Sequence, residues 1–172
     1  MAPGAEIPYL AWAERVRQSV PSCLFYGSAT LPDAIAARLI AATAARLPDV
    51  VFDVAGPVCA GLGPRPGNVR LHEQPTPELF REARVGLSPV TLAVDVSDRA
   101  VSFARAGLPV IASPATARDL GPALAECWLV AEPEVRALRD AIVESLDWDW
   151  SVPVETARRI ACVLGETASS AA

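Results

Sequence analysis

The chain has 172 residues, a formal net charge of −5, 52% hydrophobic and 20% charged side chains, which suits a single globular domain with a sizeable core and excludes disorder along its whole length. The acidic balance, with no Lys/Arg run, leaves no electrostatic footprint for nucleic acid. No stretch approaches about 18 uninterrupted apolar residues, and MAPGAEIPYLAWAERV lacks a basic region followed by an apolar core, so a cytoplasmic protein without an integral membrane segment is expected.

Residues 1–21 read as an N-terminal extension whose first eight residues fray and whose Tyr9–Val20 stretch forms a short helix with Leu10, Ala13 and Val16 on one side. Cys23-Leu24-Phe25-Tyr26 is an apolar run stopped by Gly27-Ser28, a buried strand and its turn. Thr30-Leu31-Pro32-Asp33 resembles a capping box with an early helical proline and opens a helix to about Arg46. Val50–Ala55 is a second strand. The Gly- and Pro-rich stretch from Gly56 to Gly67 is too broken for regular structure, and it has neither GxGxxG nor the lysine of a P-loop.

A third strand follows over Asn68–Leu71, a helix from Thr76 to near Ala83, and a fourth strand over Val85–Ser88, halted by Pro89. Ala100, Phe103, Ala104 and Gly107 share one face of a helix expected over Ser97–Ala106, capped by Ser97 or Asp95 and stopped at Gly107. Pro109–Ala112 is the next strand. Ala115–Glu126 is a helical or turn segment, Cys127–Val130 a sixth strand, Glu132–Leu146 a helix with Val135, Leu138, Ile142 and Leu146 in one stripe, and Pro153–Leu164 a last helix. Residues 22–166 thus form one domain and 167–172 a flexible tail.

Strands alternating with helices predict an α/β, Rossmann-like parallel sheet of about six strands with helices on both faces. Ligands of such sheets bind beyond the carboxyl ends of the strands, so the loops beginning at Gly27, Gly56, Leu71, Pro89 and Ser113 open toward one site. Arg99 and Ser102 lie one turn apart near a helix N-terminus, where a phosphate meets both the helix dipole and a guanidinium; this is the candidate anion site. The blander reading makes Arg99 a surface residue paired with Asp95 or Asp98.

Other chemistry-bearing residues give weaker signals. Cys23, Cys59, Cys127 and Cys162 are widely spaced, with no zinc-type pairing, and are expected as buried free thiols. Asp95 and Asp98 read as helix caps, so no metal is expected. His72 is the sole histidine, and no carboxylate is identifiably placed to orient it as a base. Trp128, Trp148 and Trp150 read as packing or partner contacts rather than a sugar-stacking surface.

The blocks FYGS, VVFDVAG, NVRLHEQPTPELFREARVGLSP, AVSFARAGLPVIAS and DWDWSVPVETARRIA, in that order from about Leu24 to Gly165, resemble the C-terminal, nucleotide-sugar-binding domain of GT-B glycosyltransferases. The resemblance implies that Arg99 holds and stabilises the diphosphate of a nucleoside-diphosphate sugar, the donor substrate, with no further cofactor. It places Ser102 where the family has a ribose-binding glutamate, a departure, and puts Val94, with Asp95 adjacent, at a second family glutamate. By the same resemblance His72, Glu73 and Gln74 run along the base, Pro89, Val90 and Thr91 line its other side, and Gly27 and Ser28 allow backbone approach to the phosphates. It identifies no general base. The family's acceptor-binding domain has no counterpart here, which implies that a partner chain supplies it or a homo-oligomer forms, that the chain is a fragment, or that the activity is lost. A non-catalytic interaction or regulatory module that keeps the half-fold without a working donor site is the alternative, favoured by Ser102.

Overall fold

The computed structural model describes residues 20–92, 99–100, 102–103, 106, 108–120 and 129–147. The expected helices over Tyr9–Val20, apart from the exposed Val20, and over Pro153–Leu164, the residues Asp95, Asp98, Cys127 and Cys162, and Trp128, Trp148 and Trp150 lie outside them; Val20 itself is in no helix.

Six strands form one all-parallel sheet: β1 (Ser22–Tyr26), β2 (Val51–Ala55), β3 (Val69–His72), β4 (Val85–Ser88), β5 (Val110–Ala112) and β6 (Leu129–Val130), in the order β3-β2-β1-β4-β5-β6. The order reverses between β1 and β4, the point at which loops from adjacent strands run apart and leave room for a ligand. The helices are α1 (Leu31–Ala44), α2 (Pro77–Glu82), α3 (Pro114–Leu120) and α4 (Val135–Leu146); Arg99, Ala100, Ser102 and Phe103 are helical as well. The expected α/β architecture is the observed one.

Continuous apolar strands arise because helices cover both faces of a parallel sheet. Cys23, Leu24, Phe25, Phe52, Val54, Val85, Leu87 and Ile111 are accordingly buried. Burial pushes the Cys23 thiol far above its usual range, and the nearby Asp53 charge pushes in the same direction. In α1 the buried side is small, with Ala36, Ala37, Ile40, Ala41 and Ala44, and Asn68 ties its carboxyl end down. The Asn68 amide Nδ2 donates to the carbonyls of Ala44 (3.0 Å), Leu47 (2.9 Å) and Val50 (2.9 Å). In α4, Leu138 and Ile142 are fully buried, while Val135 and Leu146 at the ends of the expected stripe are half-buried.

Three rings meet where α2 approaches the sheet. Tyr26, Phe80 and Phe103 have centroids 5.4–5.8 Å apart. Phe103 rests on the backbone of Gly86, where an added Cβ would stand 2.4 Å from the ring. Ala100 and Phe103 are therefore buried, as their shared face predicts.

One element departs from expectation. The Gly56–Gly67 stretch opens with a 3-10 turn over Pro57–Gly61. Val58 N–H donates to Gly27 O (3.3 Å) and Gly56 N–H to His72 O (3.0 Å), which anchors the start of the turn between the ends of β1 and β3. Gly56 has φ of 94°, and a Cβ there would lie 2.6 Å from Gly27 O, so only glycine suits the position.

Candidate functional site

The β1–α1 turn and the helix carrying Arg99 meet at the carboxyl edge of the sheet. Thr30 caps α1 by accepting from Asp33 N–H at 3.5 Å, but only half of the expected capping box forms. The Asp33 carboxylate does not turn back to its cap; Oδ2 accepts from Ser28 N–H (2.7 Å) and Ser28 Oγ–H (2.8 Å). Its other oxygen, Oδ1, accepts from Arg99 Nη2 at 2.6 Å.

Arg99 is 7% exposed, so this ion pair is buried and Arg99 is not the surface residue of the blander reading; Asp33 lies 66 positions away in sequence, while Asp95 and Asp98 fall outside the described residues. The guanidinium lies over the last two rings of β1, 4.7 Å from the Phe25 centroid and 5.6 Å from that of Tyr26, close enough for cation–π attraction. Burial alone would raise the Asp33 carboxyl. The Arg99 charge and hydrogen bond, with the two bonds from Ser28, outweigh burial and hold it below the usual carboxylate range.

Among the described residues, three buried side-chain polar atoms have no hydrogen-bond partner: Arg99 Nε, Arg99 Nη1 and Ser88 Oγ. Ser88 is the last residue of β4 and Arg99 covers the end of β1, and these strands are neighbours. Buried donors are ordinarily satisfied, at a cost of about 1–3 kcal/mol when they are not, which makes the carboxyl ends of β1 and β4 the candidate site.

The sequence-derived residues divide into groups. Gly27, Ser28 and Arg99 come together through Asp33, and a Cβ on Gly27 would stand 3.0 Å from the Asp33 carboxyl carbon. Pro89 is buried and Thr91 exposed after β4; Gln74 is exposed after β3. Ser102 is half-buried one turn beyond Arg99, and Asp95 lies outside the described residues. His72 corrects the sequence reading that no carboxylate orients it: its Nε2 lies 2.7 Å from Oδ1 of the buried Asp53 on β2. Beside it, Cys59 Sγ–H donates to Val54 O at 3.2 Å, and burial raises that thiol.

Asp33 and Asp53 were both missed from the sequence. Asp33 left a trace, an acidic residue three positions after a cap and just beyond Gly27-Ser28. Asp53 left only a charge inside an apolar strand. Among the described residues no group of three or more His, Cys, Asp or Glu is arranged to hold a metal ion, and no helix is long and apolar enough to cross a membrane.

No protein-family model and no curated protein sequence matches the chain. Solved structures do. Trehalose-6-phosphate synthase OtsA superposes with a TM-score of 0.64 at 15% identity, over 96% of this chain and 44% of that one. Sucrose-phosphate synthase from Thermosynechococcus elongatus gives 0.65 at 21%, over 87% and 44%. CalG4, the calicheamicin glycosyltransferase, gives 0.60 at 23%, over 94% and 41%. The chain therefore has the Rossmann-like α/β fold found in GT-B glycosyltransferases, and it spans less than half the length of these proteins.

Proposed function

We propose that the chain is a donor-binding half of a glycosyltransferase, taking a nucleoside-diphosphate sugar at the carboxyl edge of β1 and β4, with the acceptor held by a partner chain or domain. The observation that carries this reading is the pair of unpartnered nitrogens on a buried Arg99. Asp33 engages only Nη2, so Nε and Nη1 remain as charge-assisted donors for a diphosphate. Ser28 and Gly27 border that position, and His72 at the end of β3, with Gln74, Pro89 and Thr91 on the loops after β3 and β4, would contact the nucleoside. In transfer, Arg99 would stabilise the charge developing on the departing diphosphate.

A second reading, a non-catalytic module on the same half-fold, is favoured by Ser102 in place of an acidic residue and by Asp33, which already supplies an anion to Arg99. Thermal unfolding against UDP, GDP, ADP, CDP and TDP separates the two. At about 100 times its dissociation constant a bound ligand adds about 2.7 kcal/mol, or about 5–10 °C in midpoint for a domain of this size. One diphosphate is expected to stand out. No shift with any of them at millimolar concentration, in wild type or in Asp33→Asn, would leave the second reading in its place.

A further inference from the structure

Anion-binding turns offer backbone N–H groups, a hydroxyl and a cation to a group arriving from outside. Here one donor of each kind is aimed at a carboxylate of the chain itself: Ser28 N–H at 2.7 Å, Ser28 Oγ–H at 2.8 Å and Arg99 Nη2 at 2.6 Å. The carboxylate belongs to the third residue of the 14-residue helix α1, at the end whose partial positive charge favours anions. Gly27 is cut back to admit it, since a Cβ there would stand 3.0 Å from both Cγ and Oδ2.

The fit is incomplete in one respect. A carboxylate has two oxygens and one charge, and it leaves Nε and Nη1 of a 93%-buried arginine without acceptors. A phosphoryl group has a third oxygen and more charge, which would satisfy donors that Asp33 cannot reach.

We propose that Asp33 is a built-in stand-in for a phosphate, its carboxylate occupying the anion seat made by Ser28 and Arg99, so that a phosphate-bearing ligand enters only by displacing it. The inference rests on the donor-site reading and adds a gate to it. The unliganded chain satisfies most of its own anion seat, and the displaced carboxylate, left facing a second anion, keeps wild-type affinity for diphosphates low.

The test is calorimetric titration of inorganic pyrophosphate into the full chain, its Asp33→Ala and Asp33→Asn variants, and the double variant Asp33→Ala/Arg99→Gln, with circular dichroism to establish folding. Asp33→Ala is expected to bind pyrophosphate at least about tenfold more tightly than wild type, since a single displaced ionic hydrogen bond is worth that much, with Asp33→Asn in between and the double variant losing the gain. If Asp33→Ala does not fold, Asp33→Asn alone decides. A folded Asp33 variant that binds pyrophosphate no better than wild type overturns the proposal, as does a gain that survives loss of Arg99. Failure of the donor reading looks different: the Asp33 variants gain pyrophosphate, yet none of the five nucleoside diphosphates binds them better than pyrophosphate does. Conversely, a wild-type chain that binds a nucleoside diphosphate no less tightly than Asp33→Ala keeps the donor site and removes the gate.

Discussion

The Asp33–Arg99 pair makes stability depend on acid in a direction fixed by its geometry. The folded-state carboxyl titrates below its unfolded value of about 3.9. Its contribution is therefore complete above that pH and is lost as pH falls through the lower, folded value. Denaturant melts of wild type and Asp33→Asn between neutral pH and about pH 2 should show a steeper acid loss in wild type, and equal slopes would remove the pair from the account. At neutral pH, Asp33→Ala strands a buried guanidinium and should cost about 3–5 kcal/mol, whereas Asp33→Ala/Arg99→Leu should recover a large part of it. Arg99 was legible as an anion-binding candidate because its helix position and the family resemblance coincide. Its partner was not, since a contact across 66 residues leaves no local spacing to read. Asp53 and His72 were hidden for the same reason: register across β2 and β3, not sequence, brings them to 2.7 Å.

At the scale of elements, two small contacts set how helices sit on the sheet. Gly86→Ala would put a methyl group 2.4 Å from Phe103, so either the helix carrying Arg99 moves or β4 does. A loss of about 1–3 kcal/mol is expected in chemical denaturation, as for other overpacked cores, and Gly86→Ala should also disturb the Arg99–Asp33 contact. Asn68→Asp replaces an amide donor facing three carbonyls with a carboxylate, and should lower the thermal midpoint more than Asn68→Ala does. The strands were readable because burial on both faces makes them unbroken apolar runs, and Val85–Ser88 coincides with its expected span. The 3-10 turn was not readable: Gly56, Pro57 and Gly61 signal a broken loop, while the bond from Val58 to Gly27 that fixes the turn is non-local.

Across the whole molecule, one parallel sheet with its reversal between β1 and β4 corresponds to less than half of each glycosyltransferase it superposes on. On the donor-half reading, light scattering coupled to size exclusion should find the purified chain as a homo-oligomer or bound to a second polypeptide. A strictly monomeric chain that transfers sugar unaided would sink the partner requirement. Cys23 gives the same sheet a clock. Its thiol sits on β1, an interior strand paired with β2 and β4, with no surface exposed, and both burial and a neighbouring carboxylate oppose the reactive thiolate. A thiol reagent can reach it only when the layer packed over that face of the sheet lifts away or the strands part, so the rate at which that one position is alkylated, read by peptide mass, times the opening of the core, while the half-buried Cys59 reports on the 3-10 turn.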